Sequence, residues 1–317
     1  MTETPIIGGD WPDRGGHLWA KDREVVRPDG TVVRYAVHGP VDAPVVVCCA
    51  GYLCPDNFWR DIGPDLARDH RVIVPNYRGV GASSEAGGGA RPPAASAYQL
   101  HHLADDVAAV LDTEGVRGAC AIGHSMGVQV ALALWRRRPE LVDSMALVAG
   151  AYGTPLRTFY GTRVGEFVFP FISSVVPALP RGVTRPAMRA LELPIAMPIA
   201  HAIHALGPNT PDDGMATYRS HLARVDPRTA IWTARGMQSF DAGAWLHEVD
   251  VPVSVTVGDV DAWCPVRVGR QLADRVPTAE LTVVAGGSHA LPIEFPDLVT
   301  DRVRAACATG SPRAAAI

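Results

Sequence analysis

The sequence predicts an α/β protein with a mostly parallel central sheet flanked by helices, and with a helical cap inserted between core strands. Three observations carry this prediction. Short apolar runs of strand length alternate with helical patterns along most of the chain, which is typical of a parallel sheet covered on both faces. One segment, residues 152–240, interrupts that alternation. The chain has 317 residues and is 47% hydrophobic, enough for a large core.

The elements before the interruption follow one another in a regular order. Residues 24–26 and 31–37 form a predicted hairpin around the turn signal Asp29-Gly30. Continuous apolar runs then predict buried strands at 45–49, 72–74, 118–122 and 144–148. Apolar spacing predicts helices at 57–69, 100–111 and 128–138. Gly63-Pro64 predicts a break or kink within the first of these helices.

The second half resumes the alternation after the interruption. Strands are predicted at 253–257 and 281–284, and helices at 266–276 and 296–306. We therefore expect a core domain formed by residues 1–151 and 241–306, a helical cap over 152–240 and a disordered tail over 307–317. The cap segment shows no strand pattern and is apolar between its prolines, which include Pro155, Pro170, Pro177, Pro180, Pro194 and Pro198.

Composition argues against several classes of protein. The net charge is −4 and no basic block occurs, so we expect no nucleic-acid partner. No apolar stretch reaches the length of a transmembrane helix. The N-terminus lacks a signal-peptide pattern, so the six cysteines are expected to be reduced in a cytoplasmic protein. No metal-ligand spacing is visible, so neither a metal nor a cofactor is expected.

The motif that carries chemistry is Gly123-His124-Ser125-Met126-Gly127. It lies between a predicted strand and a predicted helix, where the two glycines permit a tight turn. A serine at such a turn is exposed at a helix N-terminus, where backbone N–H groups favour negative charge. The pattern therefore predicts Ser125 as a nucleophile.

A serine nucleophile needs a base, and the base needs a third group that orients it. His289 follows the predicted strand 281–284 and is the expected base. Two carboxylates, Asp259 and Asp261, follow the strand 253–257. The spacing of the residues alone leaves both open as the acid.

With these motifs the chain resembles the α/β-hydrolase superfamily, over residues 25–150 and 250–304. In that family the acid loop commonly reads G-x-x-D with a proline four residues later. Gly258, Asp261 and Pro265 match that register, so the resemblance implies Asp261 as the acid. The order Ser125, Asp261, His289 is also the order that this fold uses.

The resemblance also implies an oxyanion hole formed by two backbone N–H groups. One is that of Met126, directly after the nucleophile, and the other comes from the loop after the strand 45–49. The family often has His-Gly in that loop, whereas this chain has Ala50-Gly51-Tyr52. The N–H of Tyr52 is the expected second donor, with Leu53 as the alternative.

The implied activity is hydrolysis of a carboxylic ester by a serine hydrolase, through an acyl-enzyme and without a cofactor. The apolar cap segment favours a hydrophobic small-molecule substrate. Hydrolysis of carbon–carbon bonds, thioesters or lactones, and perhydrolysis, use the same triad and stay open. A catalytically silent ligand-binding protein on the same fold is the alternative from another class.

Overall fold

A computed structural model describes residues 6–7, 19–89, 94–157, 164–202 and 206–310. Within these ranges, no helix combines the length and the apolar character needed to cross a membrane. The strands are β1 (Ile6–Ile7), β2 (Arg23–Val26), β3 (Val32–Pro40), β4 (Val45–Cys49), β5 (Arg71–Pro75), β6 (Ala119–His124), β7 (Val142–Val148), β8 (Val253–Gly258) and β9 (Ala279–Val284).

The strands form one sheet in the order β1-β3-β5-β4-β6-β7-β8-β9, with β2 also paired to β3. Pairs from β5 through β9 are parallel, while β1, β2 and β5 pair antiparallel with β3. The central strand β6 is buried along its whole length, as expected for a strand that helices cover on both faces. The carboxyl ends of β4, β6, β7, β8 and β9 therefore lie along one edge of the sheet.

The helices are α1 (Ile62–Leu66), α2 (Leu100–Thr113), α3 (Met126–Arg137), α4 (Val164–Val175), α5 (Arg181–Arg189), α6 (Ala196–Ala202), α7 (Asp212–Leu222), α8 (Pro227–Ser239), α9 (Val266–Arg275), α10 (Leu291–Glu294) and α11 (Pro296–Thr309). Buried side chains of α2, α3 and α9 pack on one face of the sheet. Those of α1 and α11 pack on the other face. Successive side chains of each strand point to opposite faces of the sheet, so the strands contribute residues to both cores.

Helices α4 to α8 lie between β7 and β8 in the chain, in the segment where the sequence predicts an insertion. Buried contacts hold this segment to the core. The Gln129 amide on α3 donates to the carbonyls of Gly153 (3.0 Å) and Met237 (3.1 Å). Gly236 on α8 approaches the chain at Tyr98 so closely that a Cβ there would lie 2.3 Å from a backbone oxygen.

The fold class predicted from the sequence is confirmed. The predicted strand at 45–49 matches β4 residue for residue, and the hairpin pairs Val26 with Val32 as expected. Apart from the helix predicted at 57–69, the other predicted strands and helices are present, with ends that differ by a few residues. The six cysteines are all free.

Three predictions need correction. The helix predicted at 57–69 is a 3-10 turn, Asn57–Trp59, followed by α1, and the break falls before Ile62 rather than at Gly63-Pro64. Pro64 lies in the first turn of α1, where a proline costs no hydrogen bond. Helix α11 runs to Thr309, beyond the boundary expected at residue 306. Residues 311–317 of the predicted tail lie outside the described residues.

Candidate active site

Three non-glycine residues with a positive φ follow neighbouring parallel strands. They are Leu53 after β4 (φ 51°), Ser125 after β6 (55°) and Ala149 after β7 (47°). This backbone region is sparsely populated by residues with a Cβ, and each instance costs roughly 1–3 kcal/mol. Such strain persists where the surrounding structure holds it in place, and it clusters at functional sites. The sheet edge at these three strand ends is therefore where we place the candidate site.

Ser125 stands at the tight turn between β6 and α3, and its neighbours explain both glycines of the motif. A Cβ on Gly123 would lie 2.6 Å from the carbonyl oxygen of Gly127, and one on Gly127 would lie 1.8 Å from that of Cys49. Only glycine allows α3 to start this close to β4. The Ser125 N–H donates to the Val148 carbonyl at 3.0 Å, so β7 also holds the turn.

The serine meets the predicted base and the predicted acid in one line of hydrogen bonds. The Nε2 of His289 lies 2.9 Å from the Oγ of Ser125, and its Nδ1 lies 3.0 Å from the Oδ2 of Asp261. With Nδ1 protonated and bonded to the carboxylate, Nε2 is free to accept the serine proton. The arrangement can therefore deprotonate a hydroxyl and hold the imidazolium that results.

Asp261 is 4% exposed, and several donors hold its charge. Burial acts to raise its pKa, but His289 and the N–H groups of Cys264 and Trp263 outweigh burial, so the pKa lies below the usual value. Those two N–H groups donate to Oδ1 at 2.8 and 2.7 Å. Asp259, the alternative acid, is exposed and accepts from the N–H of Gly286 at 2.7 Å.

Asp261, Cys264 and His289 also bring possible metal-ligand atoms within 4.8 Å of one another. Burial raises the pKa of the Cys264 thiol well above its usual value, which keeps the sulfur protonated and a poor ligand. Both oxygens of Asp261 already accept hydrogen bonds. These groups therefore suit a histidine that is hydrogen-bonded to a carboxylate better than they suit a bound metal ion.

His124 supports the loop after β9 that contains His289, residues 285–290, here called the histidine loop. The sequence did not predict a role for His124. Its Nε2 lies 2.8 Å from the carbonyl oxygen of His289 and donates to it. Burial, and then the nearby His289, lower the pKa of His124 to about 3. The ring therefore stays neutral beside His289, and it adds no positive charge when His289 becomes protonated.

Glu294 on α10 is a second support that the sequence did not reveal. It accepts from the N–H (2.7 Å) and the hydroxyl (2.6 Å) of Ser288, the residue before His289. The hydroxyl of Thr210, from the inserted segment, donates to the same carboxylate at 2.5 Å. No sequence motif links a serine to a carboxylate six residues later, so nothing in the sequence pointed to Glu294.

The predicted oxyanion residues flank Ser125. Met126 is the first residue of α3 and Tyr52 lies in the loop after β4. Tyr52, Ser125 and His289 line one cavity of about 460 Å³. This volume falls in the usual range for small-molecule sites. The cavity is mostly apolar, and the inserted helices contribute Met197, Met215, Tyr218, Leu222 and Met237 to its wall.

Comparisons with known proteins agree with this fold. Residues 43–170 match a family model described as the alpha/beta hydrolase fold. A protein of Pseudomonas savastanoi pv. phaseolicola, named "Putative carbamate hydrolase RutD", is 28% identical over 80% of this chain and 90% of its own. The esterase RhEst1 from Rhodococcus sp. ECU1013 superposes with a TM-score of 0.71 and 24% identity, over 92% of this chain and 100% of its own.

A further solved structure, the enol-lactonase from Burkholderia xenovorans LB400, has a TM-score of 0.68 at 20% identity, over 89% of this chain and 98% of its own. The sheet order and the turn at Ser125 define an α/β-hydrolase fold. The chain has this fold, and the comparisons support a hydrolase.

Proposed function

We propose that this protein hydrolyses neutral, hydrophobic carboxylic esters, with Ser125 as nucleophile, His289 as base and Asp261 as the acid that orients the base. The observation that carries the proposal is the line of hydrogen bonds from Ser125 Oγ through His289 to Asp261, at 2.9 and 3.0 Å. A line of this kind activates a hydroxyl that is otherwise a weak nucleophile at neutral pH.

In the first half-reaction, His289 Nε2 takes the proton of Ser125 while Oγ bonds to the ester carbonyl carbon. The N–H groups of Met126 and Tyr52 donate to the oxyanion that forms. Collapse of this intermediate breaks the bond to the alcohol, and Nε2 returns the proton to the leaving oxygen. Each oxyanion donor contributes about 3–4 kcal/mol in enzymes of this type.

In the second half-reaction, water attacks the acyl-enzyme. His289 Nε2 takes a proton from the water as its oxygen bonds to the acyl carbon. The bond to Ser125 then breaks, its Oγ regains the proton, and the carboxylic acid leaves. Asp261 stays ionised throughout, since its lowered pKa keeps it a carboxylate beside the imidazolium.

The cavity wall supports an uncharged, apolar substrate. Among the described cavity residues, Arg219 is the one lysine or arginine. Its guanidinium donates through Nε and Nη2 to the carbonyls of Leu191, Glu192 and Leu193 at 3.0–3.1 Å, so the backbone already engages three of its five N–H groups. A carboxylate on the substrate would lose its hydration among mostly apolar side chains and would share this one cation with three backbone carbonyls, which is costly.

Carbamate hydrolysis is the second candidate, because the RutD relatives carry that name. A carbamate ion is small, charged and polar, whereas the cavity here measures about 460 Å³ and is lined mostly by apolar side chains. This mismatch favours the larger hydrophobic ester.

In this proposal, the inserted segment, residues 152–240, covers the active site. Side chains of α6, α7 and α8 line the cavity above Ser125 and His289. Excluding water from the site strengthens the interactions that stabilise the oxyanion. The segment therefore acts as a cap, and its shape limits the length of the acyl or alcohol group.

The test is a panel of p-nitrophenyl esters from acetate to long acyl chains, with matched neutral and ω-carboxylate acyl groups. We expect turnover of medium-chain neutral esters, at least tenfold lower kcat/KM for the carboxylate partner, and loss of turnover to background in Ser125→Ala. Turnover that survives in Ser125→Ala would contradict the proposed nucleophile. Tight binding of these esters without turnover would instead favour a ligand-binding protein, and turnover of carbamate alone would favour the second candidate.

A further inference from the structure

The loop after β4, residues 50–54, is here called the oxyanion loop. It contains Ala50 where the family often has a histidine, so it lacks a side chain that could brace it from within. The loop is nevertheless strained, since Leu53 has a φ of 51°. Some other contact has to hold that conformation.

Two tyrosine hydroxyls hold the loop to the inserted helices. The hydroxyl of Tyr218, on α7, donates to the Tyr52 carbonyl at 3.2 Å. The hydroxyl of Tyr52 donates to the Ala230 carbonyl, on α8, at 2.8 Å. Tyr52 is thus fixed both through its backbone and through its side chain, by two helices that lie more than 160 residues further along the chain.

These contacts determine where the N–H groups of the loop point. The Tyr52–Leu53 peptide is trans, so its C=O and its N–H point in opposite directions. Because Tyr218 holds this C=O, it directly orients the N–H of Leu53, the alternative donor. It also restricts the backbone of Tyr52, the proposed donor, from its C-terminal side. Within the loop, the Cys54 N–H donates to the Gly51 carbonyl at 3.1 Å and closes the turn.

We propose that Tyr218 is a positioning residue, which holds the oxyanion loop from the cap in place of the missing histidine. The inference rests on the proposed function, since it assigns Tyr218 to the oxyanion hole of that reaction. The inserted helices then also hold Tyr52 itself, through its carbonyl and its hydroxyl, and so restrict the rotation of its N–H, the proposed donor.

Tyr218→Phe tests the hydroxyl alone, because the Tyr218 ring has packing contacts of its own. The Tyr218 ring packs edge-on against Phe58, with centroids 6.2 Å apart, and Phe58 lies 4.2 Å from the His124 ring. The substitution therefore removes the hydroxyl and keeps the cavity wall. Tyr98→Phe is the matched control, since the Tyr98 hydroxyl bonds Thr229 of α8 and the N–H of Ala86 but not the oxyanion loop.

We expect Tyr218→Phe to lower kcat for a medium-chain neutral ester about tenfold with an unchanged KM. This loss is smaller than the roughly 10²–10³-fold loss of a donor itself. Tyr98→Phe should keep the wild-type kcat even if it lowers the melting temperature. Tyr52→Phe should resemble Tyr218→Phe, and the double variant should lose less than the product of the two, since both act on one loop.

Amide hydrogen exchange of residues 51–54 gives a readout that does not depend on activity. We expect faster exchange in Tyr218→Phe and wild-type exchange in Tyr98→Phe. A wild-type kcat, a raised KM with unchanged kcat, or unchanged exchange in Tyr218→Phe would each overturn the inference. Failure of the proposed function itself is distinguishable, because it would appear as turnover in Ser125→Ala or as no turnover in the wild type.

Discussion

At the scale of single residues, the environment of Asp261 separates it from Asp259 two positions earlier. Asp261 is buried and bonds His289, while Asp259 is exposed and bonds the N–H of Gly286. In the proposed mechanism only the first carboxylate holds the imidazole tautomer that can accept the serine proton.

The pair Asp261→Asn and Asp259→Asn tests this difference. We expect Asp261→Asn to lower kcat about 10³-fold or more, the scale seen when a Ser-His-Asp triad loses its acid. Asp259→Asn should stay within about threefold of wild type, because Asn can still accept from Gly286. Kinetics on one neutral ester measures both. Equal losses in the two variants would argue against the proposed acid.

The sequence predicts some residues of this site and not others, for a physical reason. Ser125, Asp261 and His289 each follow a predicted strand, and parallel strands bring their carboxyl ends to one edge. Tyr218 lies on α7 and Thr210 in the loop before it, and no local sequence pattern determines how this segment packs. Their contacts with Tyr52 and Glu294 depend on the tertiary fold alone.

At the scale of elements, the turn between β6 and α3 depends on how closely α3 approaches β4. Gly127 lies at that approach, where a Cβ would lie 1.8 Å from the Cys49 carbonyl oxygen. Backbone atoms cannot give way as a flexible side chain can, so α3 or β4 would have to shift.

Gly127→Ala tests this packing, with Gly182→Ala as its matched control in α5. A Cβ on Gly182 would have no atom within 4 Å. We expect Gly127→Ala to lower the free energy of unfolding by about 3 kcal/mol and to impair turnover. Gly182→Ala should leave it unchanged or raise it by up to about 1 kcal/mol. Urea unfolding measures both, and a neutral Gly127→Ala would refute the packing explanation.

Element prediction succeeded where one local preference dominates. The run at 45–49 is apolar throughout and β4 has the same bounds. It failed where two short elements adjoin, as at the 3-10 turn before α1. Strand β1 and helix α10 have two and four residues, too few for a periodic pattern, so tertiary contacts define them.

At the scale of the whole molecule, the inserted helices attach to the core at several buried points, and one of them is sensitive to pH. His221 on α7 accepts from the N–H of Gly81, at 3.4 Å, through Nε2. Burial, and then Arg224, lower its pKa to about 4. His38 in β3 is similar, with its pKa lowered to about 4 by burial and by Lys21.

These histidines predict the sign of the stability change with pH. An unfolded histidine has a pKa of about 6.5. Below that pH the unfolded chain gains protons that the folded chain does not. Stability is therefore complete above about pH 6.5 and is lost as the pH falls towards the folded pKa of about 4. We expect His221→Gln, whose side chain can still accept from Gly81, to reduce this loss by up to about 1.4 kcal/mol per pH unit.

Urea unfolding of wild type and His221→Gln between pH 6.5 and 5 measures the difference. This window lies above the range in which carboxylates with lowered pKa, such as Asp261 and Glu114, take up protons. Identical slopes for the two proteins would show that His221 does not stay neutral in the folded state.

The inserted segment contacts both loops of the proposed active site. The inserted segment reaches the oxyanion loop through Tyr218. It reaches the histidine loop through Thr210, which donates to Glu294, the carboxylate that holds Ser288. The order of elements in the sequence predicts that a helical insertion lies near the strand ends. It does not predict which side chains connect it to each loop, because those depend on how the helices pack.

Hydrolysis of one neutral medium-chain p-nitrophenyl ester by wild type and by Ser125→Ala, side by side, tests the central claim most directly. We predict steady turnover by the wild type, background release by the variant, and an acyl group recovered on the peptide that contains Ser125 after acid quench. Equal turnover by the two proteins, or an acyl group on another residue, would contradict the assignment of Ser125 as the nucleophile.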